Sequence, residues 1–265
     1  MVLPEHKTRV RELADAFGRE DTSREPHDLA ARVGVKLEYG DLGDKDGAFD
    51  PSRNVIFLNK SSGAERQRFT MAHEVTHFLI LQDEDLLSDL HDAYDGDDLE
   101  EAIEVLCNVG ASAILVPETE LEAVLQKYGR GARVLPRIAQ TFGVSRPAAC
   151  VALAQHLEGR ALVTVLRAPK RTGLRAQPLS VQFSSKTSDM RYNLSPGTVI
   201  PLDHPLSLAF ETGLPIEDKT YIPFRSGKKM PAMVDAHPEG TVVYAIFRLL
   251  EPASAPAAST DVEHT

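Results

Sequence analysis

His73-Glu74-Val75-Thr76-His77 sets two imidazoles four residues apart with a carboxylate between them. A helix advances about 100° per residue, so positions four apart stand one turn above each other on one face. Both rings then face one point and can bind one Zn²⁺. Glu74 is displaced sideways, where it can take a proton from a water that the ion activates. The pattern therefore reads as the centre of a metal-dependent hydrolase. A plainer reading is two core histidines bonded to backbone carbonyls. The context favours the metal. Phe69, Met71, Ala72, Phe78, Leu79, Ile80 and Leu81 surround the motif with apolar surface, and polar groups in such a helix need a partner.

A catalytic zinc takes three protein ligands and leaves a position for water. The extended pattern HExxHxxGxxH needs a glycine at position 80 and a histidine at position 83, where this chain has Ile80 and Asp83. Asp83 is thus a weak third ligand. Glu104 is the better one. Between Ala102 and Pro117 it is the only charged residue, and an isolated carboxylate in an apolar helix is costly unless neutralised. The alternative is a Glu104 on a helix surface. Small residues at Cys107, Gly110, Ala111 and Ser112 would let this helix lie close to the HExxH helix.

Other candidates rest on less. His91 and Tyr94 are oxyanion stabilisers by residue type alone, with ordinary loop residues as the alternative. Residues 54–58 form a strand just before the metal helix. They could pair with an extended substrate if they lie at a sheet edge; a covered central strand is the other option. The acidic run 83–101 reads as a solvated loop with a helical turn, and its register does not fit a Ca²⁺ loop.

The elements that must hold these residues follow from periodicity. Helices are expected over 7–18 and 28–33, with a strand over 35–39 and a turn at Asp50-Pro51-Ser52-Arg53. Ser62-Gly63-Ala64-Glu65 matches a capping box, starting a helix that runs to about Leu81. A further helix covers Leu99 to Leu115 and stops at Pro117. Residues 133–142, the turn Gly143-Val144-Ser145 and residues 146–157 look like helix-turn-helix. Strands dominate after Ala161, with one helix over 203–212. The segment FRSGKKMP, with Arg225, Lys228 and Lys229, reads as a turn in preference to an anion site. The Pro/Ala/Ser-rich tail 251–265 is expected to be disordered.

Composition bounds the partners. The chain has 265 residues, 29 Lys+Arg against 39 Asp+Glu and a net charge of −10. That argues against sequence-independent binding to nucleic acid or anionic membrane over the whole surface. Cys107 and Cys150 make no disulfide framework and suggest a reducing compartment. No secretory signal or membrane span is evident, so a cytoplasmic protein is expected. A DNA-binding regulator is the second function class. The helix after Ser145 offers Arg146, Gln155 and His156 but is otherwise Ala, Val and Leu, which is poor chemistry for reading a groove.

RQRFTMAHEVTHFLILQDEDLLSDLH and EVLCNVGASAILVP resemble the ImmA/IrrE metallopeptidase family. SDLHDAYDGD, the helix-turn-helix-like middle and YIPFRSGKKMPAMVDAHPEG extend the likeness over nearly the whole chain. The resemblance implies His73, His77 and Glu104 on the metal, Glu104 standing four before Asn108 in the family's E-x-x-x-N run, and Glu74 as the catalytic carboxylate. It implies Zn²⁺, with Mn²⁺ as an alternative. It also implies an α+β architecture of three parts. These are a zincin-like metallopeptidase domain (1–128), a helix-turn-helix-like helical domain (129–159) and a GAF-like α+β domain (160–250). The implied function is cleavage of a DdrO-type repressor after radiation or desiccation, which would induce DNA-repair genes.

Overall fold

The computed structural model describes residues 2–168 and 178–250. The expected disordered tail, 251–265, lies outside them. The chain divides into two compact units, Met1–Ala152 and Leu153–Thr265.

In the first unit, α1 (Pro4–Glu20) and α2 (Pro26–Arg32) lead into β1 (Lys36–Gly40), β2 (Gly47–Asp50) and β3 (Val55–Asn59). Proline sits in the first turn of both helices, where its missing N–H has no partner to lose. The sheet order is β1-β3-β2, with β3 parallel to β1 and antiparallel to β2. β3 is therefore bonded on both sides, and residues 54–58 offer no edge to a substrate. The Asp50 turn forms as expected, its carboxylate accepting from Ser52 N and Oγ.

Next come α3 (Ala64–Gln82), α4 (Glu84–Ala93), α5 (Gly96–Leu115), α6 (Glu118–Tyr128), α7 (Leu135–Phe142) and α8 (Arg146–Gln155). The capping box at Ser62 does not form. Gly63 is the N-cap without a side-chain bond, because the Ser62 hydroxyl donates to Asp46 instead. The acidic run is not a loop. Its first half is α4, which buries Leu86 and Leu90 one turn apart, and Asp83 caps it by accepting from Leu86 N at 2.9 Å. Gly143 takes the left-handed conformation between α7 and α8, with φ +61°. Ser145 Oγ accepts from Ala148 N at the start of α8.

The second unit carries β4 (Ala161–Arg167), β5 (Ser180–Lys186), α9 (Pro205–Thr212), β6 (Ile216–Pro223), β7 (Lys229–Glu239) and β8 (Val242–Leu249). The strands form one antiparallel sheet in the order β5-β4-β8-β7-β6. α9 packs on β6, β7 and β8. FRSGKKMP is the β6–β7 hairpin, as the turn reading expected, with Gly227 at φ +81°. Its lysines lie over aromatic rings, Lys228 on Tyr192 and Lys229 on Tyr221.

His204 caps α9 and is buried. Its Nδ1 accepts from Leu206 N, and its Nε2 lies 2.9 Å from the Tyr221 carbonyl. That pairing fits only the neutral ring, with the proton on Nε2. Burial lowers its pKa from 6.5, against the raising effect of the Tyr221 carbonyl. Above pH 6.5 both folded and unfolded forms are neutral. Below it the unfolded chain takes up the proton first, so this unit loses stability as pH falls toward the lowered folded value. The loss should not exceed about 1.4 kcal/mol per pH unit. Amide exchange of the β6–β8 residues between pH about 8 and about 5 will show it, and His204→Gln should flatten the slope.

Candidate metal centre

α3 is buried along Met71, Ala72, Val75, Thr76 and Ile80. That fixes its rotation and leaves His73, Glu74 and His77 half-buried on the remaining side. α5 crosses α3 at very close range. A Cβ on Gly110 would lie 2.3 Å from Thr76 Cγ2 and 2.7 Å from Thr76 Oγ1. Gly110 therefore sets the approach, as the run of small residues suggested. Ser112 takes no part, being exposed.

This crossing brings Glu104 to the histidines. One carboxylate oxygen lies 3.3 Å from His73 Nε2 and the other 3.3 Å from His77 Nε2. The two Nε2 atoms are 3.2 Å apart. A tetrahedral ion with bonds of about 2.0 Å has donor atoms about 3.3 Å apart, so the three residues fit a divalent cation. Three lone-pair donors converging in this way repel one another unless a cation or proton lies between them. Glu104 is not the buried carboxylate that the apolar surroundings suggested. Its side chain is 59% exposed, and its place at the centre rests on contact with both rings.

Burial, and then the charge of His73, lowers the His77 pKa, with Glu104 opposing. The neutral His77 ring has a lone pair to offer. Burial, and then the charge of Glu104, raises the Glu74 carboxyl to about 7. A divalent cation on the neighbouring donors would offset the Glu104 contribution. Cys107, one turn beyond Glu104 on α5, is fully buried. Burial, and then the Glu104 and Glu74 carboxylates, push its thiol up.

Asn108 is the residue that sequence reasoning used only as a landmark. Its Oδ1 lies 3.3 Å from His73 Nδ1. By accepting from Nδ1–H it keeps the His73 proton off Nε2. The signal was the i, i+4 spacing from Glu104, which puts both on one face of α5. Asn108→Ala is expected to weaken metal binding about 10- to 100-fold, as metal titration of the folded variant would show.

The structure engages the remaining candidates elsewhere. Asp83 caps α4 and pairs with Arg9 at 2.7 Å, so it is not a third ligand. His91 is exposed on the last turn of α4. The Tyr94 hydroxyl accepts from Leu3 N at 2.9 Å and meets His6 Nδ1 at 3.4 Å. It holds the start of α1.

Comparisons with known proteins point to a metallopeptidase family. Residues 30–154 match the IrrE N-terminal-like domain of the Peptidase_M78 model. The chain is 43% identical to the radiation response metalloprotease IrrE of Deinococcus deserti, over 95% of this chain and 92% of that protein. It is 42% identical to the protein of the same name from Deinococcus radiodurans, over 93% and 79%. A solved Mycobacterium tuberculosis transcriptional regulator is 14% identical, with a TM-score of 0.55 over 91% of this chain and 76% of its own. At that identity the likeness speaks to fold alone.

Proposed function

The chain belongs to the IrrE N-terminal-like metallopeptidase family, and from that premise we propose that it is a metal-dependent endopeptidase of a radiation response that cuts a DdrO-type repressor. The observation that carries the reading is the convergence of His73, His77 and Glu104 within 3.3 Å of one another. These three would hold the ion, Zn²⁺ or Mn²⁺, which supplies a Lewis acid beside the scissile carbonyl and makes water more acidic. Glu74, one residue from His73 and with its carboxyl raised to about 7 by burial and Glu104, accepts in its ionised form the proton of the attacking water and returns it to the leaving amine. Asn108 orients His73.

An extended substrate needs an edge strand. β3 is covered, so the role passes to β2, whose Phe49 packs edge-on against Phe78 of α3, ring centroids 4.9 Å apart. We assign residues 129–159 as a helix-turn-helix-like unit and 160–250 as a GAF-like unit. Their role is docking or sensing, since all three donors come from α3 and α5. The DNA-binding alternative has less behind it. α8 presents Arg146 and Gln155 at exposed positions among small and apolar neighbours, too few groups for base readout. No helix among the described residues is long and apolar enough to cross a membrane, and a cytoplasmic repressor fits that.

The test is incubation of the purified protein with the repressor and, separately, with an unfolded generic protein. Cleavage of the repressor at one site, lost with a chelator and restored by added metal, is the expected result. Comparable turnover of the generic protein would overturn the selectivity. Salt-dependent retention on duplex DNA without cleavage would favour the alternative.

A further inference from the structure

We propose that Cys107 is a further metal ligand, closing the site with His73, His77 and Glu104 around a thiophilic divalent cation. The proposal rests on the metallopeptidase reading above. The ligating atoms of His73, His77 and Cys107 all lie within 4.8 Å of one another. In a tetrahedral site with sulfur at about 2.3 Å and nitrogen at about 2.0 Å, sulfur and nitrogen stand about 3.5 Å apart. The sulfur and the ring nitrogens therefore have to close in by up to about 1.3 Å as the ion binds.

Glu104 and Cys107 are one turn apart on α5, and the close packing at Gly110 holds that helix against α3. The two donors differ in kind. Glu104 is a hard oxygen donor at an exposed position, while Cys107 is a soft donor with no solvent access. As the sulfur–metal bond forms, the S–H bond breaks and the proton passes by way of the neighbouring carboxylates, of which Glu104 is exposed, to solvent. Four protein ligands are the mark of a closed site, whereas a hydrolytic one keeps a position for water. The tetrad is thus a hydrolytically closed resting form, and release of the thiol opens it. Thiolate ligation also favours Zn²⁺ and Co²⁺ over Mn²⁺.

Cobalt(II) is the probe. The full chain loaded with one equivalent should show sulfur-to-cobalt charge-transfer absorption in the near ultraviolet. Cys107→Ser should lose that absorption while still binding one cobalt through the other three residues, and Cys150→Ser should keep it. Should the serine variant not fold, Cys107→Ala gives the same comparison. A second readout is metal preference, with the affinity ratio of Zn²⁺ to Mn²⁺ falling more than about 10-fold in the Cys107 variant. Cobalt bound without the absorption overturns the inference and leaves the peptidase reading standing. No cobalt bound overturns both. Equal weakening of Zn²⁺ and Mn²⁺ marks packing damage and also overturns the inference.

Discussion

Glu74→Gln is expected to give a folded, metal-loaded protein that no longer cleaves the repressor. Gln has nearly the same size and helix propensity, so α3 keeps its packing along Met71, Ala72, Val75 and Thr76. The three converging donors are His73, His77 and Glu104, so metal stoichiometry should be unchanged. What the amide cannot do is accept the proton of the attacking water. Positioned proton transfer contributes about 10²- to 10⁴-fold to rate, so the loss should reach at least the lower figure. Cleavage time courses beside metal analysis of the same preparation check it. A variant that keeps both its metal and most of its rate would remove Glu74 from the mechanism.

The converging residues were legible because their spacing is local. His73 and His77 share a face through i, i+4, as do Glu104 and Asn108, and helix geometry alone supplies both inferences. The pairing of the two faces was legible in part. Small residues foretold a close crossing, and Gly110 meets Thr76 there, whereas Ser112 is exposed. Glu104 does meet both histidines, but not as the buried carboxylate its apolar neighbours suggested, since its side chain is more exposed than buried.

Other features depended on partners far along the chain. Ser62 leaves its helix uncapped because Asp46, sixteen residues away, takes its hydroxyl. The helix α4 was hidden because carboxylates crowd the two buried leucines that define its inner face. Pro231 and Pro238 stand within β7, which lies between β6 and β8, although a sequence rule confines proline to sheet edges. β3 read equally well as edge or centre. Its position was settled by β1 pairing in parallel from the far side, which no local pattern encodes.

Gly110→Ala is expected to damage the metal centre without touching any of its ligands. The added methyl would stand 2.3 Å from Thr76 Cγ2, 2.7 Å from Thr76 Oγ1 and 3.0 Å from Val10 Cγ1. Thr76 cannot swing away freely, because it is fully buried and its hydroxyl donates to the Ala72 carbonyl at 2.9 Å. α5 must therefore move off α3 or α1. Overpacking of this kind costs about 1–3 kcal/mol, with any helix-propensity gain over Gly offsetting up to about 1 kcal/mol. Glu104 lies under two turns before Gly110 on the same helix, so the displacement shifts its carboxylate relative to His73 and His77. Metal affinity should fall more steeply than overall stability. The companion change Thr76→Ala removes both of the closest atoms, so Thr76→Ala/Gly110→Ala should recover much of the affinity that Gly110→Ala loses. A double-mutant cycle on metal binding and thermal melting measures that coupling. Additive effects in the cycle would mean that the contact between α3 and α5 at Gly110 does not set the position of Glu104.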